Sequence, residues 1–169
     1  VLLALNAGDR ARTARALAIV ASCSAIGGNR SWRRTERYLR EAEALAATSR
    51  DVRTQAFMVA AHGGACHLNG RFREAAEYLE QGLVRLEDAT IGLVHEQVMC
   101  RMFLLQALAY LGRYKQLQQI QRDGLLDAFA RGDVYATVNL RVGAANQAWL
   151  VDDRPEHAEE QASAALAEW

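Results

Sequence analysis

Two histidines and a cysteine near the middle of the chain, His62, Cys66 and His67, are the side chains best suited to bind a transition metal. His62 and Cys66 are four residues apart, so an α-helix would place both on one face, where imidazole nitrogen and thiolate sulfur could bind Zn²⁺. The same two positions are also those at which paired helices of a repeat would pack together. We therefore predict a buried thiol and a hydrogen-bonded histidine here, and no metal or other cofactor.

Other stretches that could suggest catalysis lack essential residues. The glycine clusters "AIGGNR" and "AHGGACHLNGR" contain neither the phosphate-binding pattern G-x-x-x-x-G-K-[ST] nor a G-x-G-x-x-G after a strand. The sequence "HEQVM" at 95–99 lacks the second histidine of a zinc protease helix. No spacing indicates a nucleophile with its base and orienting group. The sequence therefore predicts that this segment is not an enzyme.

The net charge limits the classes of partner that the chain could bind, and the cysteine content indicates its cellular compartment. The chain has 20 basic and 20 acidic residues, so no overall field attracts nucleic acid or an anionic membrane. The arginines between positions 30 and 40 could form a basic patch, but the glutamates among them predict a solvated face instead. Three cysteines at wide spacing, with no signal peptide and no long apolar run, favour a reducing cytoplasm. We predict a cytoplasmic protein that binds neither nucleic acid nor membrane.

The elements that must position any site come from one unit that occurs four times. Its copies are "GNRSWRRTERYLREAE" (28–43), "LNGRFREAAEYLEQGL" (68–83), "YLGRYKQLQQIQRDGL" (110–125) and "VDDRPEHAEEQASAAL" (151–166). The corresponding anchor residues are Arg30, Gly70, Gly112 and Asp153. Spacings of roughly 40, 42 and 41 residues between these anchors lie within the period of helical arrays. The repeat predicts an all-α protein.

Each copy predicts two helices, because its apolar residues recur with the i, i+3, i+4, i+7 spacing of a buried helix face. The predicted first helices are about 9–26, 51–68, 90–111 and 133–151. The predicted second helices are about 31–49, 71–88, 113–131 and 155–168. N-caps are expected at Asp9, Ser31, Asp51, Thr90 and Asp133, and left-handed helix ends at Gly8, Gly70, Gly112 and Gly132.

The chain is accordingly predicted to be one helical-repeat domain, 1–169, built from the pairs 9–49, 51–88, 90–131 and 133–168. Residues 1–8 would end a preceding helix. Because the chain begins inside an apolar run, "VLLALNAG", we interpret it as a fragment of a longer protein. Its apolar ends could also support self-association, since terminal repeats need a polar cap.

This pattern resembles the tetratricopeptide repeat. The small residue of the family's first helix corresponds to Gly63, and its Gly-x-aromatic turn corresponds to Gly70-Phe72 and Gly112-Tyr114. The small residues of its second helix correspond to Ala75 and Ala158 early, and to Ala42, Gly82, Gly124 and Ala165 late. The resemblance implies a right-handed superhelix of about four antiparallel hairpins. The chain departs from the family's pattern in two ways. Its period is longer than that of the family, and the bulky Leu105 and Leu117 replace small residues in the third copy.

A narrower resemblance concerns function. The phrases "WRRTERYLREAEALA" and "RGDVYATVNLRVGAANQAWLVDD" are similar to the C-terminal helical region of large bacterial serine/threonine kinases that also carry an ATPase module. This likeness implies a non-catalytic protein-interaction or sensor module of a bacterial signalling kinase. The alternative is the effector-binding repeat domain of a MalT-like ATPase transcription activator, which has similarly long helical repeats.

Recognition in such arrays is expected on the concave face, which the first helices line. The repeat register predicts that this face includes Met102, Gln106, Tyr110, Asn139, Gln147 and His67, with Ala60, Gly64 and Leu140 among its other members. The Lys/Asn/Arg set with which some tetratricopeptide domains bind a peptide carboxylate is absent. Apolar and amide side chains instead suit a protein or peptide, a neighbouring domain of the same chain, or a small-molecule effector. The same residues could alternatively pack against each other.

Overall fold

A computed structural model describes residues 1–49, 51–89 and 92–169 and is helical, with no strand in these ranges. Its helices are α1 (Leu2–Asn6), α2 (Arg10–Ala25), α3 (Asn29–Ala47), α4 (Val52–Leu68), α5 (Phe72–Asp88), α6 (Val94–Tyr110), α7 (Tyr114–Arg131), α8 (Val134–Asn139), α9 (Gly143–Leu150) and α10 (Pro155–Glu168). The all-α prediction is therefore confirmed. None of the described helices is both long and apolar enough to cross a membrane.

The chain forms two compact units, Val1–Cys100 and Arg101–Trp169, and the boundary between them lies within α6. In the first unit α2 packs against α3, α4 packs against α5, and α2 also packs along α4. In the second unit α7 and α10 each pack against both α8 and α9. The right-handed superhelix of four pairs would extend over both units and stays a prediction.

Small residues allow the paired helices of the first unit to approach closely. A Cβ added at Gly63 would lie 2.6 Å from Leu79 Cγ, and one added at Gly82 would lie 2.8 Å from Ala60 Cα. The prediction of small residues at these two contacts is confirmed. The assignment of Ala60 and Gly64 to a binding face was wrong, since both are buried, and the contact with Gly82 shows that α5 covers Ala60.

The predicted helix starts are mostly confirmed. Asp9, Asp51 and Asp133 accept a hydrogen bond from a backbone N–H in the first turn of α2, α4 and α8, respectively. Ser31 was wrongly predicted as an N-cap, since α3 begins two residues earlier and the Ser31 hydroxyl donates to the carbonyl of Gly28 at 2.9 Å. The expected cap at Thr90 falls outside the described residues.

The predicted left-handed residues are confirmed at all four glycines, Gly8, Gly70, Gly112 and Gly132. In the fourth copy Asp153 occupies the position that glycine holds in the second and third. It is the one non-glycine residue with positive φ in the described ranges, at 54°. Because aspartate tolerates this conformation better than most residues, the turn is kept without glycine.

The first helix of the fourth pair differs from the prediction. Instead of one helix over 133–151, the chain forms α8 and α9 with a break at Leu140–Val142. Val142 is extended, and Gly143 at the start of α9 has a φ of +59°. This conformation ends the hydrogen-bond ladder of α8, and a new helix begins at Gly143.

Candidate functional site

A small pocket lies beside the break between α8 and α9. Its volume is about 220 Å³, and its lining comes from α6, the end of α8 and the start of α9. We call it the break pocket; it is lined by Met102, Leu105, Gln106, Asn139, Val142, Gly143, Ala144 and Ala145. Both Gln106 and Asn139 are partly exposed, so their carboxamide groups are accessible to a bound molecule.

A second pocket, of about 460 Å³, adjoins the first at the C-terminal end of α6. We call it the turn pocket; it is lined by Gln106, Ala109, Tyr110, Tyr114, Ala144 and Gln147. Gln106 and Ala144 belong to both linings, so the two pockets meet at these residues. A ligand that spans both pockets would contact α6 on one side and α9 on the other.

The linings of both pockets contain no charged side chain. Their polar groups are the carboxamides of Gln106, Asn139 and Gln147, together with two tyrosines. Asn139 donates from Nδ2 to the carbonyl of Tyr135 at 2.8 Å, which leaves its Oδ1 as an acceptor. Each carboxamide can donate and accept, so the surface is suited to an uncharged polar ligand.

Two amide side chains, one buried and one partly buried, hold the helix break in place. Gln121 on α7 donates to the carbonyl of Leu140 at 3.0 Å, and Asn146 on α9 donates to the carbonyl of Arg141 at 2.9 Å. Asn146 also donates to the carbonyl of Ala158 on α10 at 2.8 Å. The bonds to Leu140 and Arg141 satisfy carbonyls at the interruption of the helix, so the pocket wall is a defined structure and not a frayed end.

Arg141, at the break itself, is almost completely buried, with 5% of its surface exposed. Its Nε donates to the carbonyl of Thr137 at 3.1 Å, and its other end pairs with the carboxylate of Glu168 at the end of α10. A buried guanidinium requires such partners, since an unpaired charge in the interior is strongly unfavourable. Our sequence reasoning missed Gln121, Arg141 and Asn146; the available signal was polar residues at positions where the repeat expects apolar ones.

The structure brings together five of the six residues predicted for recognition. Met102 and Asn139 line the break pocket, Tyr110 and Gln147 line the turn pocket, and Gln106 lines both. Whether these residues bind a ligand stays a prediction.

His67 and Leu140 lie elsewhere. His67 belongs to the first unit, near the end of α4, where its ring centroid is 5.5 Å from that of Phe72. Leu140 is fully buried, so its assignment to the binding face was wrong. The helix break turns its side chain into the core, where a Cβ at Gly124 would meet it at 3.0 Å.

The His62–Cys66 pair has the structural role predicted for it. His62 Nδ1 is 2.9 Å from Glu43 Oε1, and its ring stacks on that of Tyr78 with centroids 4.0 Å apart. Cys66 is fully buried, and this burial raises the pKa of its thiol to about 12. Burial also raises the pKa of Tyr78. In the described part of the chain, no three His, Cys, Asp or Glu side chains group as metal ligands.

The end residues predicted to favour self-association are exposed. Leu2 and Leu3 in α1 project into solvent, as do Leu166 in α10 and Trp169 beyond it. Self-association itself stays a prediction.

The geometry of the two pockets is the main guide to function. Comparison of the chain with protein-family models, curated proteins and solved structures finds no match to any of them. The function therefore has to be argued from the uncharged surface formed by the break pocket and the turn pocket, together with the repeat pattern of the sequence.

Proposed function

We propose that this chain is a non-catalytic recognition module of a cytoplasmic bacterial signalling serine/threonine kinase, and that the break and turn pockets form its ligand-binding surface. The kinase context rests on the sequence phrases that resemble the helical region of such kinases. The observation that carries the binding proposal is the joined pair of pockets, with no charged side chain and three carboxamides in its linings.

The favoured ligand is an uncharged polypeptide segment. A peptide group presents one donor and one acceptor, which is the combination that a glutamine or asparagine side chain offers in return. Gln106 and Gln147 make no side-chain hydrogen bond to any other described residue, so a ligand would not have to displace an existing partner. Met102 and Tyr110 add adaptable apolar and aromatic contact area beside them.

The second candidate function is the binding of a small neutral effector, as in a MalT-like activator. The volume of the turn pocket, about 460 Å³, favours this alternative, because small-molecule sites usually measure roughly 300–1,000 Å³. A kinase domain encoded in the same gene would support the first function, whereas a C-terminal helix-turn-helix domain would support the second.

A binding screen tests the proposal and separates the two candidates. Thermal shift, followed by calorimetric titration, would be measured with short uncharged peptides and with neutral saccharides and nucleosides. We expect one class to bind, and we expect the double variant Gln106→Ala/Gln147→Ala to lose at least about ten-fold in affinity.

The matched control is Gln81→Ala, because Gln81 is an exposed glutamine on α5 outside both pockets. It should change the affinity less than about two-fold. Equal affinity for the wild-type chain and the double variant would contradict the proposed surface. The absence of binding by every compound in both panels would also count against it.

A further inference from the structure

A second surface of the Arg101–Trp169 unit combines exposed apolar side chains with arginines. It is a groove of about 280 Å³ between α7 on one side and α9 and the start of α10 on the other. We call it the arginine–aromatic groove and define it by Arg122, Leu126, Phe129, Trp149 and Arg154. It has no residue in common with the break pocket or the turn pocket.

The apolar part of this groove is unusually exposed. Leu126 is 65% exposed and Phe129 is 57% exposed, and both lie in the C-terminal half of α7. Trp149, on the opposite wall, is partly buried, and its ring meets that of His157 edge-on at a centroid distance of 5.8 Å. Large apolar groups that flank a cleft are typical of protein-binding surfaces, since covering them removes apolar area from water.

The spacing of the residues on α7 gives the groove a direction. Arg122, Leu126 and Phe129 are at i, i+4 and i+7, so they form one stripe along the helix. Trp149 in α9 and Arg154 at the N-cap of α10 face this stripe across the groove. A binding partner therefore meets an apolar centre with a guanidinium group on each wall.

The groove has an excess of positive charge. Arg122 and Arg154 form no ion pair with any residue in the described ranges. Asp152 is the only carboxylate in the lining, and its Oδ1 accepts a hydrogen bond from Gln118 Nε2 at 2.9 Å. The same Gln118 nitrogen donates to the carbonyl of Ala148 at 2.8 Å, which ties Asp152 to the wall of the groove. The charge complement of this surface is a partner that carries carboxylates.

We propose that the arginine–aromatic groove docks an acidic amphipathic helix of a partner protein. Apolar side chains of that helix would cover Leu126, Phe129 and Trp149, and its glutamates or aspartates would pair with Arg122 and Arg154. Tryptophan and arginine are the residue types that most often dominate binding energy at protein interfaces, and arginine can bind a carboxylate with two hydrogen bonds.

The test uses the whole 169-residue chain and two synthetic probe peptides, with fluorescence anisotropy as the measurement. Both peptides carry leucine at i, i+3, i+4 and i+7; one has glutamate and the other lysine at the remaining positions. We expect the glutamate peptide to bind at least about ten-fold more tightly than the lysine peptide. Arg122→Glu/Arg154→Glu should reverse this preference, and Leu126→Ser should weaken binding of the glutamate peptide at least about five-fold.

Two control variants lie on exposed sites of the other unit. Arg33→Glu on α3 makes the same charge change as Arg122→Glu, and Val84→Ser on α5 matches the apolar-to-serine change. Each should alter the affinity less than about two-fold. Far-ultraviolet circular dichroism of every variant checks that it is folded. Because Arg122 and Arg154 are exposed, the double arginine variant is expected to fold, and it still tests the proposal if Leu126→Ser does not fold.

Three results would overturn the proposal. These are equal binding of the two peptides, unchanged binding by the double arginine variant, and a loss in Arg33→Glu as large as that in the groove variants. Vesicles of phosphatidylserine and phosphatidylcholine form a further arm of the experiment. Sedimentation with these vesicles that depends on Arg122 and Arg154, without peptide binding, would identify a membrane surface and refute the protein partner.

Discussion

Gln121 Nε2 donates a hydrogen bond to the carbonyl oxygen of Leu140 at 3.0 Å, and this bond joins α7 to the break between α8 and α9. The side chain of Gln121 is buried, so water does not replace it as a partner. The carbonyl at the break would otherwise be an unsatisfied buried acceptor. The pocket beside the break thus depends on a polar contact inside the core of this unit.

Replacing Gln121 should therefore destabilise the protein more than its size suggests. Gln121→Leu keeps most of the side-chain volume but leaves the Leu140 carbonyl without its partner, at a cost of about 1–3 kcal/mol. Urea denaturation would measure this as a lower free energy of unfolding. Gln119→Ala is the control, because Gln119 is exposed on the same helix and its side chain bonds, among the described residues, only to the nearby Asp123. If Gln121→Leu lowered the free energy of unfolding no more than Gln119→Ala does, the role given to Gln121 would be contradicted.

Close packing between α4 and α5 predicts the effect of a single methyl group. Gly82→Ala would place a Cβ 2.8 Å from Ala60 Cα, and backbone atoms cannot move aside as a flexible side chain can. We expect a destabilisation of about 1–3 kcal/mol, which calorimetric unfolding would show as a lower Tm. The neighbouring Gln81→Ala should stay within about 0.5 kcal/mol, because Gln81 is exposed. An unchanged Tm in Gly82→Ala would show that the two helices are farther apart.

The three cysteines should differ sharply in reactivity. Cys23 is exposed, whereas Cys66 and Cys100 are buried. Cys100 also donates from Sγ to the carbonyl of Leu79 at 3.3 Å. At about pH 8 we expect a thiol reagent to label the exposed Cys23 rapidly. The buried Cys66 and Cys100 should be labelled only after unfolding, because the reagent cannot reach a buried thiol and reacts with the thiolate form. Mass spectrometry of the labelled protein would identify the site; rapid labelling of Cys66 would contradict its burial.

The raised pKa of Cys66 also predicts how stability depends on pH. The thiol has a pKa of about 12 in the folded chain against 9.0 for an unperturbed cysteine, so between these values the folded state holds more protons than the unfolded one. The free energy of unfolding should therefore fall as pH rises from about 9 toward 12. Cys66→Ala removes this contribution, and its denaturation curves should vary less over the same range. An identical pH dependence in the two proteins would be inconsistent with a buried, protonated thiol.

Much of the fold could be predicted because the repeat is local in sequence. Apolar periodicity indicated the helices, and small residues such as Gly63 and Gly82 marked the close contacts. The break at Leu140–Val142 could not be predicted, since no proline interrupts the helical pattern there and the stabilising bonds come from Gln121 and Asn146. These are tertiary contacts, and tertiary contacts often override the local preference for helix.

The candidate binding surfaces also differ in whether they could be predicted from the sequence. Spacing along one helix correctly placed Met102, Gln106 and Tyr110 on one side of α6, and they line adjoining pockets. The arginine–aromatic groove was missed because the repeat register assigned recognition to the first helix of each pair. Arg122 and Phe129 lie on a second helix, α7, and only the packing of α7 against α9 brings them near Trp149.

The central claim is that the stripe on α6 is a binding surface and not part of the core, and Met102→Arg tests it most directly. Met102 is partly exposed in the break pocket, so an arginine at this position can extend its charged end into solvent. The measurement is the free energy of unfolding in urea for the wild-type chain and the variant. We predict a loss below about 1 kcal/mol. A loss of several kcal/mol, as expected for a charge forced into an apolar interior, would show that Met102 is a core residue and contradict the proposed surface.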